Sequence, residues 1–342
     1  MNQTEAFSLV KYGSAEAAFK LGTVTLSPLG ENQVLVETES FGLNYAEVMA
    51  RRGLYAEAPP LPAVLGYEVV GKIVEVGEHV DQSLVGKRVL AFCRFGGYAK
   101  HVITESHAIA ELGVYDSSKA LALATQYVTA YYMVERVANI QKDEIVLVHA
   151  AAGGVGTALI QLCKLKGATV IAKVSSDSKI ESVKAQGADF AVNYKSSDYE
   201  AAVSSILKEH RVDVSFNPVA GATVKKDLRL IGSGGRLVLF GASELGKAPY
   251  GIFSKLNFVR KIGFFTPIAF MMRSKSVCGV NMLKIADNKP LVLQACLNEV
   301  VAMAVAGTIN PQVGKEYPAS EMPRAHQDLE DGSTIGKLVI NW

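Results

Sequence analysis

The chain lacks an excess of charge of either sign: 35 Lys and Arg stand against 33 Asp and Glu in 342 residues. No dense Lys/Arg block disturbs that balance, so no general field gathers a polyanion, and nucleic acid is not an expected main partner. Long hydrophobic runs are missing too. The most apolar stretch, Ile262 to Met272, is too short for a bilayer, contains Pro267 and is flanked by Lys261 and Arg273. It reads as a buried or loop segment, and no membrane span is expected. The opening MNQTEAFSLVKYG has no basic start and no apolar core, because Glu5 and Lys11 interrupt it, which argues against a secretory leader. Cysteine is scarce: Cys93, Cys163, Cys278 and Cys296 are scattered, with no CxxC pair and no disulfide-like framework. That usage suits a reducing, cytoplasmic setting.

What the chain does have is the composition of a folded protein, 49% apolar and 20% charged residues. Its length fits two domains, each able to bury its own core. From Glu31 to Val102, short apolar runs are broken by glycines: Val34-Leu35-Val36, Val69-Val70, Ile73 to Gly77 and Arg88-Val89-Leu90. This is the rhythm of a β-rich barrel or sandwich. After about Ala120 the period becomes helical, and from Glu144 strands and helices alternate. Ile145 to Val148 reads as a buried strand, Gly154 to Lys166 as a helix, Ala168 to Val174 as a strand, and Lys179 to Gln186 as a helix closed by Gly187. Later strands are expected at Phe190 to Asn193, Val212 to Phe216, Arg236 to Phe240 and Val277 to Val280. The fold class is therefore α/β, with a doubly wound parallel sheet. Past Val305, Gly307 and three prolines precede a last strand, Lys337 to Ile340, expected to return to the first domain. The expected domains are 1–123, 124–305 and the returning tail 306–342.

The turn after the first strand of that sheet carries the sharpest signal. A GxGxxG fingerprint uses one glycine for a tight turn, one for backbone approach to a pyrophosphate and one for close helix packing. Here the positions are Ala151, Gly153 and Gly156, with an extra Gly154, so the match is imperfect. The setting supports it, since the turn follows a strand and opens a helix whose N-terminus can hold a phosphate. A nicotinamide dinucleotide is the expected cofactor. NAD-preferring domains end the second strand in Asp or Glu, whereas this strand ends in Val174, followed by Ser175 and Ser176. Lys179, with Lys173 nearby, offers positive charge for a 2′-phosphate. Asp177 lies about twenty residues from the turn, the usual spacing of the acidic residue, but beyond the strand, where it reads as a helix N-cap. NADPH is therefore preferred over NADH.

Several segments together resemble the medium-chain dehydrogenases/reductases, and within them the zinc-independent quinone oxidoreductase group. They are Phe41 to Glu47, Arg52 to Tyr55, Leu65 to Glu68, His149 to Gly156 and Gly235 to Gly241. The stretch Val277 to Leu283 is similar to the branch named for the vesicle amine transport protein. The resemblance implies a GroES-like β-barrel domain completed by the C-terminal strands, a Rossmann domain, a catalytic cleft where they meet, and dimers formed through Rossmann edge strands. Carried over position by position, it places cofactor contacts at Asn44, Thr129, Ala152, Gly153, Gly154, Val155, Gly156, Ser175, Lys179, Tyr194, Phe240, Gly241 and Lys337. Catalytic roles are implied for Asn44, Tyr55 and Tyr67.

The resemblance also shows what is missing. The zinc-binding Gly-His-Glu motif of the alcohol dehydrogenase relatives appears here as Gly66-Tyr67-Glu68, and the earlier cysteine ligand is replaced by Asn44. No four-cysteine loop follows Ala91, and His101, His107 and Cys93 read as ordinary strand positions, so no metal is expected. Without a Lewis acid, the feasible task is hydride delivery to an electron-poor acceptor, a quinone or related enone, with Asn44 and Tyr55 bonding the oxygen that gains charge. Tyr67 would shape the site, and Tyr55 reads equally as an aromatic packed beside Pro59, Pro60 and Pro62. One departure is Asn217-Pro218-Val219-Ala220-Gly221, where the family often has Asp before a glycine-rich turn. Two alternatives stand beside the quinone reductase: an alkenal or enoyl-thioester reductase, and a non-enzymatic NADPH-binding regulatory or lipid-associated protein. Acceptor choice would rest on the cleft side chains and on Tyr250 to Met272, whose fold the sequence leaves open.

Overall fold

The computed structural model describes residues 2–246 and 252–342. The chain divides into two compact units, one made of Met1–Val128 with Met282–Trp342, the other of Thr129–Asn281.

The first unit is built from β1 (Gln3–Leu9), β2 (Phe19–Thr25), β3 (Gln33–Leu43), β4 (Ala63–Val64), β5 (Glu68–Val76), β6 (Arg88–Phe92), β7 (His101–Glu105) and β8 (Ile109–Glu111). Strand β3 organises it. It pairs antiparallel with β5, and register shifts at Leu35/Val36 and Thr38/Ser40 bend it. Its first half then pairs with β7 through Gln33 to Glu37. Inward-facing Val36, Phe41, Val69 and Ile73 pack with Tyr98 in one apolar core.

The second unit holds β9 (Ile145–Val148), β10 (Thr169–Val174), β11 (Phe190–Asn193), β12 (Val212–Asn217), β13 (Ile231–Leu239) and β14 (Ser276–Gly279). They form one sheet in the order β11-β10-β9-β12-β13-β14, with every pairing parallel. This is the doubly wound order, which reverses beside the first strand and opens a ligand-binding crevice at the C-terminal strand ends. Strand β9 is apolar throughout because parallel strands are covered on both faces. Leu147, Ile171 and Leu237 meet Tyr199, Val203 and Val224 from the helices on one face.

After the second unit the chain returns to the first. The helix Pro290–Val305 buries Leu293, Cys296, Leu297 and Val300 and packs on β8 and the Ser106–Ala108 turn. The strands β15 (Val313–Pro318) and β16 (Lys337–Asn341) follow, and β16 pairs with β15 and with the second half of β3. The last boundary thus falls at 281/282 and not at 305/306, because the apolar face of Pro290–Val305 is covered by the first unit.

The segment Ile262 to Met272, expected to be buried or looped, is loop at 263–266 and helical at Pro267–Met271, and it is not buried. Tyr250 and Gly251 lie outside the described residues. The helices Ile252–Ile262 and Pro267–Met271 follow, and Phe264 (90% exposed), Ile268, Met271 and Met272 stand at the surface.

Candidate active site

In the second unit the site begins where β9 ends. The amide of His149 donates to Phe216 on β12 (3.0 Å) and that of Ala151 to Lys173 on β10 (3.1 Å), so both neighbouring strands hold the turn. Ala150 adopts φ +49°, and the amide of Gly153 donates back to its carbonyl (2.9 Å). The steric need for glycine is greatest at Gly156, where a Cβ would lie 2.4 Å from the Ala150 oxygen and 2.6 Å from the Ala151 Cα. The left-handed position is thus taken by alanine, and glycine is required where the helix Gly154–Leu165 crosses the turn. The first amides of that helix, on Gly154, Val155 and Gly156, have no acceptor within it, which together with the helix dipole suits a phosphate. A dinucleotide therefore fits these residues.

Beside the turn, β10 ends in buried Val174, and Ser175 is half-buried. Ser176 rather than Asp177 stands at the N-cap of the short turn Asp177–Lys179. Asp177 accepts a bond from the Asn193 amide (2.9 Å), which ties it to β11. Lys179 follows, half-buried, at the start of the helix Ile180–Ala185. The amide of Tyr194 donates to Val174 (3.1 Å), and its ring is 38% exposed, available for stacking. Lys173 is not at the surface. Its ammonium lies 3.2 Å from His149 Nδ1 and 3.7 Å from the Tyr199 ring centroid, with Tyr194 on another side.

This lysine belongs to a network that the sequence reading missed. His149 Nε2 lies 3.0 Å from Asp227, which also accepts from Tyr199 (2.9 Å), Ser215 (2.9 Å) and Asn217 (2.6 Å). Burial keeps the imidazole below its usual pKa and therefore neutral. An ammonium can only donate and a carboxylate can only accept, so the Nε2-protonated tautomer satisfies both contacts. Burial pulls Lys173 down to about 8, against the attraction of Asp227. For Asp227 burial acts upward, but His149, Asn217 and Ser215 outweigh it and hold the carboxyl below its usual range. A lone lysine in the buried strand sequence TVIAKV was the available signal.

Asn217 also organises the next loop: its side-chain oxygen accepts from the amides of Val219 (2.8 Å) and Ala220 (2.9 Å). After β13, the Phe240 amide donates to Asn217 (3.2 Å), and a Cβ on Gly241 would approach the Pro218 oxygen to 2.7 Å. Thr129 is buried in Val128–Tyr131, between π-helical turns Leu123–Tyr127 and Tyr132–Val137. Such wide turns are rare and concentrate at functional sites.

In the first unit Asn44 precedes the helix Tyr45–Arg51, and its amide N–H donates to the Glu47 carboxyl (2.7 Å). Its side-chain Nδ2 donates to Glu68 (2.7 Å), and its Oδ1 accepts from Lys337 Nζ (3.0 Å). Lys337 also pairs with Glu68, which accepts from Thr125 as well. Lys337, expected at the cofactor, is fully buried within this cluster. Tyr67 is 3% exposed, and its ring lies 5.1 Å from Phe95. Among the described residues its hydroxyl has no hydrogen-bond partner of good geometry. Burial, then nearby Tyr55 and Glu47, push its ionisation far up. Tyr55 is half-buried, and burial raises it as well.

Behind Asn44 lies a second buried chain. Tyr98 donates to Glu47 (2.7 Å) and lies 3.0 Å from His326 Nε2. Burial and then Glu68 push Glu47 up to about 8, and burial lowers His326 to about 3. Both groups are neutral at pH 7.

Residues 154–298 match the zinc-binding dehydrogenase family, and residues 30–142 match the alcohol dehydrogenase GroES-like domain. The human synaptic vesicle membrane protein VAT-1 homolog is 29% identical over 315 residues, 91% of this chain and 79% of that protein. The Lama guanicoe quinone oxidoreductase is 28% identical over 338 residues, 98% of this chain and 96% of that protein. The solved Escherichia coli quinone oxidoreductase, complexed with NADPH, superposes with a TM-score of 0.84 at 26% identity, over 99% of this chain and 100% of that chain. The chain belongs to the zinc-independent quinone oxidoreductase group of the medium-chain dehydrogenases/reductases. It is an oxidoreductase by family. The zinc in the name of one matched family does not fit the donor set here. Asn44 spends its oxygen on an ammonium and Tyr67 offers a phenol that burial keeps protonated. Cys93 is fully buried with its thiol pushed up by burial, and His101 is engaged by Thr4. Among the described residues no group of three His, Cys, Asp or Glu side chains is placed to hold a metal ion.

Proposed function

We propose that this quinone oxidoreductase relative is an NADPH-dependent reductase of quinones and related electron-poor enones, working without zinc. The observation that carries the reading is what stands at the two positions where alcohol dehydrogenase relatives keep zinc ligands. The Asn44 amide can hydrogen-bond an oxygen and the buried Tyr67 shapes the site, and neither replaces a Lewis acid. An acceptor that is already electron-poor suits such a site.

The amides of Gly154, Val155 and Gly156, with Ala152 and Gly153 in the turn, would hold the pyrophosphate. Lys179 and Ser175 would bind the 2′-phosphate, Tyr194 would stack on the adenine, and Thr129, Phe240 and Gly241 would border the nicotinamide half. When bound, the cofactor supplies a hydride from the nicotinamide ring. Asn44 and Tyr55 then stabilise the oxygen that gains charge, and solvent or a tyrosine supplies the proton that completes the reduction.

A homodimer is part of the reading, supported by the edge strand β14 with Val277 on it 42% exposed, and by exposed apolar residues in the preceding helix Pro267–Met271, Ile268 (59%) and Met271 (70%). The scatter of Cys93, Cys163, Cys278 and Cys296, with no CxxC pair, suits a reducing compartment such as the cytoplasm. No helix of the described residues is long and apolar enough to cross a membrane.

The test mixes purified protein with NADPH or NADH and a panel of quinones, enones, alkenals and enoyl thioesters, following loss of reduced nicotinamide. Turnover strongest with quinones or enones is expected. Preference for enoyl thioesters would reassign the acceptor, and binding without oxidation would favour a regulatory protein.

A further inference from the structure

We propose that Lys337 is a positioning residue that sets which end of the Asn44 amide is offered to the acceptor; the inference rests on the reading of Asn44 as a hydrogen-bond donor. The amide has two ends of opposite polarity and can turn over about its terminal bond. Lys337 Nζ lies 3.0 Å from Oδ1 and Glu68 lies 2.7 Å from Nδ2. An ammonium has no acceptor and a carboxylate has no donor, so the reversed amide would face two repulsive contacts. The chemistry of the neighbours thus fixes the orientation. One Nδ2 hydrogen is used by Glu68, and the other remains for an acceptor oxygen.

The site is built for this lysine. Lys337 is the first residue of β16, the chain's last strand, and is fully buried, as is Glu68. A Cβ on Gly42 would lie 2.3 Å from Lys337 Cε and 2.5 Å from Glu68 Oε1, so a larger residue there would have to displace the pair. Thr125 donates to the second Glu68 oxygen and holds the carboxylate from the other side. Four separate stretches of chain therefore converge to orient one amide. Lys337, which the resemblance implies at the cofactor, has its ammonium on Asn44 and Glu68.

The test is a kinetic cycle with NADPH and a water-soluble benzoquinone. Removing the lysine alone would strand the buried Glu68 charge, so the charge-free pair Lys337→Met with Glu68→Gln is compared with Asn44→Ala and with the triple variant. Thermal melting checks that each is folded. Asn44→Ala is expected to lower kcat about 100-fold, the scale of losing one preorganised donor. The charge-free pair should lower kcat about tenfold through a misplaced amide, with KM for NADPH within about twofold of wild type. In the triple variant the pair should add nothing further, because its effect acts through Asn44.

A second variant guards against misfolding. Lys337→Gln combined with Glu68→Gln keeps an N–H donor against Oδ1 without stranding a charge and should retain kcat within about threefold. The proposal is overturned if the pair lowers kcat as much in the Asn44→Ala background as in wild type. It is equally overturned if the main effect is a raised KM for NADPH, or if Lys337→Gln with Glu68→Gln is as damaged as the charge-free pair. Wild-type turnover by Asn44→Ala would instead sink the donor reading itself, and this proposal with it.

Discussion

At Glu47 a carboxyl group is held away from water, accepting bonds from the Asn44 backbone N–H and the Tyr98 hydroxyl. It titrates near 4.5 in an unfolded chain and near 8 in the fold, where burial and then Glu68 oppose its ionisation. Between those values the native state keeps a proton that the unfolded chain has released, so stability is full below 4.5 and falls as pH rises towards 8. The slope is at most about 1.4 kcal/mol per pH unit. Glu47→Gln keeps an acceptor for both bonds and removes the titration. Melting curves across this window should show the variant gaining on wild type as pH rises, and a constant difference would contradict the assignment. At Lys179 the charge argument concerns cofactor choice. Lys179→Glu should weaken NADPH binding at least about tenfold more than NADH binding, as expected when a cation facing a phosphate is reversed. Equal losses in a titration would remove it from the phosphate site.

Among the elements, the connection from β9 into the helix Gly154–Leu165 carries the cofactor reading. Gly156→Ala would drive a methyl against the Ala150 oxygen, 2.4 Å from the Cβ position. It should cost about 1–3 kcal/mol of stability through overpacking and reduce NADPH affinity by displacing the phosphate-binding amides. Calorimetric titration giving wild-type affinity would show that the turn does not hold the dinucleotide. The strands were legible because burial on both faces writes itself as apolar runs: Phe190–Asn193 was bounded as observed and β10 to within one residue. Polar side chains inside such runs were harder to interpret. Lys173 was read as surface charge for a phosphate, whereas its partners His149 and Asp227 come from a neighbouring strand and a distant helix. The contacts of Lys337 were hidden for the same reason, since Glu68 and Asn44 lie far away in sequence. Resemblance identifies a position, but a buried partner becomes visible only when topology brings strands together.

At the scale of the whole molecule, the division into a β-rich unit and a doubly wound unit followed from the change of period near Ala120. The return of the chain came earlier than expected, because the apolar face of Pro290–Val305 looks the same in sequence whichever unit covers it. The segment 262–272 reads as buried or loop, and the loop is found at 263–266 but the burial is not. Its apolar residues suggest burial, yet Phe264 and Met272 are 90% and 78% exposed. The dimer reading gives that surface an occupant, a second copy meeting it along β14. Val277→Glu on that edge should convert a dimer to a monomer in sedimentation experiments, and a wild-type monomer at micromolar concentration would refute it.

The account depends most on reduction by NADPH without a metal, so the most direct measurement is kcat/KM on chelator-treated, metal-free protein with each reduced nicotinamide and a quinone. The account predicts undiminished turnover after metal removal and a preference for NADPH of about tenfold or more, about 1.4 kcal/mol of discrimination. Turnover lost with the metal and restored by zinc, or a preference for NADH, would contradict it.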